Sequence, residues 1–153
     1  MAECYTIPGQ PFIPFTPGYV VETANFGWNA GGVSTITRTG DARTTFQMPV
    51  RCVGCFIGFA PVAGEVLDRN RITHGFYFVL NTVYRVRVVE LGTAKTPELV
   101  YDLADEFQIQ RIGGNVLFKI NTETIYASSH PSTGEIVVAT VLYASGDAAP
   151  GAT

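Results

Sequence analysis

The chain has 153 residues, 46% of them hydrophobic and only 15% charged, a balance that excludes intrinsic disorder and suffices for one packed core but not for two ordinary domains. A net charge of −3 gives no ground for a nucleic-acid-binding surface, and no apolar run approaches the ~18 residues of a membrane-spanning helix. Sixteen glycines and nine prolines, spread among β-branched and aromatic residues, point to an all-β domain with many turns.

Residues 1–18 form a Pro-rich arm, with Pro8, Pro11, Pro14 and Pro17 at intervals of three. Proline cannot donate to a sheet ladder and favours extended backbone. Tyr5, Ile7, Phe12, Ile13 and Phe15 lie between the prolines, which is unusual for a solvated tail. Two readings stand: the arm folds back over its own domain, or it docks on a neighbouring subunit. In the second reading Phe12, Phe15 and Cys4 are the interface residues.

No helix of useful length is expected after the arm. Strand-like runs recur around 19–23, 32–38, 43–49, 52–60, 75–80, 84–90, 98–101, 106–112, 115–120, 124–128 and 135–143. So many short strands with frequent turn signals predict two packed antiparallel sheets over residues 19–145, followed by a small-residue tail, 146–153.

Two hairpins test the register, because directly opposed residues share a face. Gly113-Gly114 is a good two-residue turn and sets Phe107 opposite Ile120, Ile109 opposite Phe118 and Arg111 opposite Val116. One face is then apolar, with Arg111 at its turn end. The connection Asn121-Thr122-Glu123-Thr124 is expected to place Ile120 opposite Ile125 and to keep that face apolar through Ala127. In the other hairpin, an odd-length loop at Asn81-Thr82-Val83 matches Phe76, Phe78 and Leu80 with Val88, Val86 and Tyr84. Tyr77 then lies across from Arg87, with Arg85 beside them, on the outward face. The last strand, Ile136–Tyr143, is apolar on both sides, so it is either central or covered, the arm being one candidate cover.

Several of these segments carry a family resemblance. Trp28-Asn29-Ala30-Gly31-Gly32-Val33-Ser34, followed by Gly40-Asp41 and Thr45-Phe46, resembles the opening of a concanavalin A-like jelly-roll module. Phe107-Gln108-Ile109-Gln110-Arg111, then Gly113-Gly114-Asn115-Val116-Leu117-Phe118, resembles the strand–Gly-Gly–strand hairpin of that family. Ile125-Tyr126-Ala127-Ser128 resembles the strand that follows, and Leu142-Tyr143 the closing one. The resemblance spans roughly residues 19–145 and implies a two-sheet antiparallel jelly-roll sandwich. Its motifs specify fold rather than function. Two departures stand out: Asn121-Thr122-Glu123-Thr124 stands where relatives often have Asn-Gly in the turn after the Gly-Gly hairpin, and Cys52-Val53-Gly54-Cys55 adds two cysteines.

Candidate chemistry is sparse. There is no Gly-x-Ser-x-Gly elbow, no His-Glu-x-x-His and no Gly-rich loop entering a helix. His74 and His130 read as exposed or hydrogen-bonded loop residues. Asp102, Asp105 and Glu106 cluster in an apparent turn, without the strand-face spacing that paired carboxylates need for glycoside hydrolysis. Cys52 and Cys55 read as buried thiols; an intermolecular bridge through Cys4, or half of a zinc site, are the other readings. Asp68-Arg69-Asn70-Arg71 reads as a polar loop, since its arginines oppose cation binding. Trp28 is expected to pack at a sheet corner. No metal or cofactor is expected.

For sugar recognition the useful elements are exposed aromatics and planar polar groups. Tyr77, Arg85 and Arg87 form one such platform, and Tyr126 with Gln108 and Gln110 another. Modules of the resembled family occur in phage virion and bacterial surface proteins. The resemblance therefore implies a non-catalytic structural or decoration component of a phage virion, self-associating or docked on other virion proteins. The alternative is a carbohydrate-binding module for a host-surface glycan. The N-terminus lacks the basic and apolar regions of a signal peptide, so synthesis in the host cytoplasm and residence in the virion are the expectation.

Overall fold

The computed structural model describes residues 12–13, 19–22, 30–63, 69–144 and 147–150, of which 12–13, 19–22, 30, 81 and 150 are described by their backbone alone. The strands run β1 (Phe12–Ile13), β2 (Tyr19–Glu22), β3 (Ala30–Val33), β4 (Arg38–Thr39), β5 (Ala42–Phe46) and β6 (Gly54–Pro61). After a single 3-10 turn at Arg69–Arg71 come β7 (His74–Asn81), β8 (Val83–Glu90), β9 (Thr93–Ala94) and β10 (Leu99–Val100). The last five are β11 (Phe107–Ile112), β12 (Asn115–Ile120), β13 (Glu123–Ala127), β14 (Glu135–Leu142) and β15 (Ala148–Pro150).

All pairings are antiparallel. The larger sheet has the order β10-β8-β7-β6-β14-β3, with β4 against β14 and β9 against β8; the smaller has the order β13-β12-β11-β5. A third, short sheet joins β1, β2 and β15. This is the two-sheet sandwich that the sequence predicts. Within the arm, Phe12–Ile13 pairs with Val21–Glu22 of the same chain, and Ala148–Pro150, from the stretch read as a tail, pairs with Tyr19–Val21.

The core follows from side-chain alternation along the strands. Cys55, Ile57 and Phe59 on β6, Phe76 and Phe78 on β7, and Val86 and Val88 on β8 face Phe46, Phe107, Ile109, Val116 and Phe118 of the smaller sheet. Phe107 is the hub: its ring stacks on Phe46 (5.6 Å) and meets Phe76 and Phe78 edge-on at 5.3 and 5.0 Å. Edge-to-face pairs of this kind add about 0.5–1.5 kcal/mol each beyond the area they bury.

Both tested hairpins have the predicted pairs. Phe107–Ile120, Ile109–Phe118 and Arg111–Val116 oppose one another around Gly113-Gly114. Phe76–Val88, Tyr77–Arg87, Phe78–Val86 and Leu80–Tyr84 oppose one another, and pairing continues to Asn81–Val83, so Thr82 alone forms the apex at φ 64°. The final strand is interior, between β6 and β3; Ile136 and Leu142 enter the main core, while Val137, Ala139 and Val141 join a second buried cluster on the opposite face.

The β12–β13 connection differs from expectation. Ile120 pairs with Glu123, not Ile125, across a two-residue Asn121-Thr122 turn with φ of 52° and 71°. A register shift between Phe118 and Lys119 then puts Tyr126 opposite Phe118 and the exposed Ala127 opposite Leu117. Asn-Thr hides a turn that needs positive φ at both positions, because a β-branched residue is rarely found there. Thr122→Gly is accordingly expected to stabilise the protein by about 0.5–1 kcal/mol, seen as a higher urea midpoint at unchanged slope; an unchanged or lower midpoint would show that the threonine is unstrained.

Candidate ligand-binding site

The outward face of the larger sheet is built from the residues between the core positions. On β6, β7 and β8 these include Phe56, Tyr77 and Arg87, which are direct cross-strand partners in that order. The Phe56 and Tyr77 rings stack nearly parallel, centroids 4.3 Å apart at 8°. The Arg87 guanidinium carbon lies 5.4 Å from the Tyr77 centroid, and that of Arg69 lies 5.9 Å from the Phe56 centroid. Because β7 sits between β6 and β8, Tyr77 has Phe56 on one face and Arg87 on the other.

This row borders a cleft of about 240 Å³ lined by polar and basic groups, including Arg69, Asn70, Tyr77 and Arg87, and closed at one side by the Gly92 turn. No carboxylate lines it among the described residues. The Arg87 Nε–H is buried and has no hydrogen-bond partner among the described residues. Burial raises the Tyr77 phenol above its ordinary range, against the opposing pull of Arg87 and Arg69.

Of the sequence-predicted site residues, Tyr77 and Arg87 are brought together. Arg85 is half-buried opposite Val79, one outward position further along, and does not line the cleft. Phe15, Cys4 and Trp28 lie outside the described residues, and Phe12 is placed by its backbone alone. The second platform does not form. Gln108 and Gln110 pair with Lys119 and Leu117, whereas Tyr126 opposes Phe118 and packs against the core. The bulge in β12–β13 moves Tyr126 to the other face. Sequence reasoning missed Phe56, Arg69 and Asn70; the two arginines that spoke against a cation in the 68–71 loop were themselves the available signal.

One end of the sandwich is polar inside, and there the expectation for His74 fails. It is no loop residue but opens β7 on the core side, fully buried. Its Nε2 lies 2.7 Å from the His130 carbonyl, which can only accept, so Nε2 carries a proton. Its Nδ1 lies 2.8 Å from Thr73 Oγ1, a hydroxyl that also reaches Phe59 O at 3.3 Å; burial favours the neutral imidazole. Glu90, also buried, has its Oε2 3.8 Å from His74 Nε2, and neither carboxylate oxygen has a hydrogen-bond partner among the described residues. Arg111 is buried too. Its Nε donates to Gly40 O (2.6 Å), Nη1 to Ser132 Oγ and Gly134 O, and Nη2 to Arg38 O, tying two loops to β11. An apolar alternation reading cannot anticipate a charged side chain recruited as a backbone clamp.

The other chemical candidates are absorbed by structure. Cys52 and Cys55 are buried free thiols, and burial raises that of Cys55. Asp147 binds the amides of Val53, Gly54 and Ala144, anchoring the start of β6. Asp105 binds the Asp102 amide and the Asn121 side chain, and Asp102 pairs with Arg51 at 3.5 Å on the surface. No cluster of three potential metal ligands occurs among the described residues.

Among solved structures, the chain is similar to the PSpry domain of TRIM65, at 10% identity and a TM-score of 0.65 over 95% of this chain and 89% of that one. It is also similar to the SPRY domain of human HERC1, at 11% identity and a TM-score of 0.61 over 94% of each. An alginate lyase from Corynebacterium sp. aligns at 10% identity and a TM-score of 0.52 over 97% of this chain and 83% of that one. At such identities the likeness establishes the fold alone, which agrees with the concanavalin A-like sandwich that the sequence resemblance implied. No protein-family model and no curated protein matches the chain.

Burial holds His74 below its ordinary pKa of about 6.5, more than the nearby Glu90 raises it. An unfolded chain therefore takes up a proton that the folded one refuses as pH falls through 6.5, so stability is lost on the acid side. The thermal midpoint is expected to fall between pH 7.5 and 5.5, and His74→Gln to flatten that slope whatever its effect on absolute stability. An identical slope in the variant would remove His74 as the cause.

Proposed function

We infer that this protein is a non-catalytic recognition module that binds a carbohydrate in the cleft on the outer face of its larger sheet. The observation that carries this is the stacked row Phe56–Tyr77–Arg87, which holds a guanidinium and a phenol rigidly at the rim of a polar cleft. Rigid polar groups lose little entropy when they bind, the condition for recognising hydroxyl-rich ligands. The non-catalytic character is supported by the occupations of the acid–base candidates. His74 is fully buried with both ring nitrogens engaged by Thr73 and His130, and Asp105 is used within its turn.

On a glycan array, the wild-type protein should give a defined set of hits, each weakened at least tenfold by Arg87→Ala or Tyr77→Ala. Hits that persist in both variants, with circular dichroism unchanged, would remove this cleft as the site.

A second reading, a structural or decoration component of a phage virion acting through subunit contacts, is favoured by the edge of the larger sheet. Strand β10 there is two residues long, and its Val100 is 68% exposed, an open edge available to a second chain. The two-sided apolar β14 no longer adds to this reading, because its flanking strands and the two buried clusters account for it within one chain. Light scattering on the full chain and on a chain lacking residues 1–18 is expected, on this reading, to show an oligomer that the truncation dissociates. A monomer throughout would remove it.

A further inference from the structure

We propose that the cleft takes an acidic sugar, its carboxylate or sulfate group bound by Arg87. This rests on the carbohydrate reading above and names the class of ligand within it.

The argument begins with what the row of rings leaves available. A neutral sugar is gripped chiefly by laying its apolar C–H face on an open aromatic face. Tyr77 offers no such face, since Phe56 covers one side at 4.3 Å and Arg87 the other at 5.4 Å. What points into the cleft is hydrogen-bond donors and positive charge. Arg87 and Arg69 both line it, and Arg85 stands one outward position away on the same strand as Arg87. In a chain with a net charge of −3, three arginines on one sheet face concentrate charge of the opposite sign.

Arg87 is preorganised for a planar anion. Its guanidinium carbon lies over the Tyr77 ring, 5.4 Å from the centroid, and its buried Nε–H has no hydrogen-bond partner among the described residues. A buried donor left unsatisfied is destabilising, and an accepting oxygen relieves that cost. Nε and the adjacent Nη form the fork that binds two oxygens of one carboxylate or sulfate, a geometry that lysine cannot reproduce. One carboxylate stands close by. Glu98, the residue before β10, is half-buried and acts electrostatically on Tyr77. It opposes an incoming anion without lining the cleft.

The test compares polymers of like shape and unlike charge by titration calorimetry. Polygalacturonate is set against its fully methyl-esterified form, and dextran sulfate against dextran. Binding to the charged member of a pair, weakening with added salt, is expected, and the pair that responds identifies the group as carboxylate or sulfate. Arg87→Gln should weaken binding at least tenfold and Arg87→Lys should not restore it. Glu98→Gln should tighten it two- to threefold, a gain that a merely misfolded variant cannot give. Arg43→Gln, on the outer face of the opposite sheet, should change nothing.

Equal binding of charged and neutral members, insensitive to salt, would overturn the acidic-sugar assignment and leave the carbohydrate reading standing. Equal losses in the Arg43 and Arg87 variants would overturn it as well, by showing nonspecific polyelectrolyte attraction. Failure of all four polymers, together with an array without hits, would overturn both.

Discussion

The molecule depends on the alternation of β7, locked from one side by Phe107. Phe76 and Phe78 are two residues apart, so they point the same way, and both meet the Phe107 ring edge-on. That contact fixes which face of the larger sheet is inside. A slip of one residue would carry Tyr77 into the core and both phenylalanines into water. The outward position of Tyr77, and through cross-strand pairing those of Phe56 and Arg87, is thus a consequence of core packing rather than a separate feature. The cleft-bearing face is the reverse side of the core.

Buried polar groups are handled in two ways. Asp147 and Arg111 are buried charges with several hydrogen-bonded partners each, and both clamp backbone that would otherwise be loose at a sheet margin. Glu90 is the exception, its oxygens unpartnered among the described residues and one of them 3.8 Å from His74 Nε2. A buried polar group left in that state lowers stability, and the pH response expected at this end comes from His74, which burial keeps from taking up a proton. The cleft on the outer sheet differs from that chemistry in kind: it is cationic and half-exposed, with strand residues forming its floor and the Arg69–Asn70 and Gly92 turns its margin.

Much of the fold could be read from the residues because it rests on a period-two signal. Phe107, Ile109, Phe118 and Ile120 alternate with Gln108, Gln110 and Lys119, and Gly113-Gly114 names its own turn. The Tyr77–Arg87 pair was legible for the same reason, since an odd loop at Asn81-Thr82-Val83 is the one that keeps both faces consistent. Where local chemistry was atypical the signal failed. Thr122 disguised a tight turn, and the bulge that follows it carried Tyr126 to the face opposite Gln108 and Gln110.

By itself, then, the sequence determined the class of fold, the register of two hairpins and the outward placement of Tyr77 and Arg87, because alternation and turn residues act between near neighbours. Only the tertiary structure decided that Arg69 and Asn70, from a separate turn, border the same cleft, and that Phe56 lies flat against Tyr77. It also decided that His74 is interior and that Arg111 clamps two loops from within. Those contacts join segments far apart along the chain. Nothing in the periodicity of one strand records which side chain from another will arrive beside it.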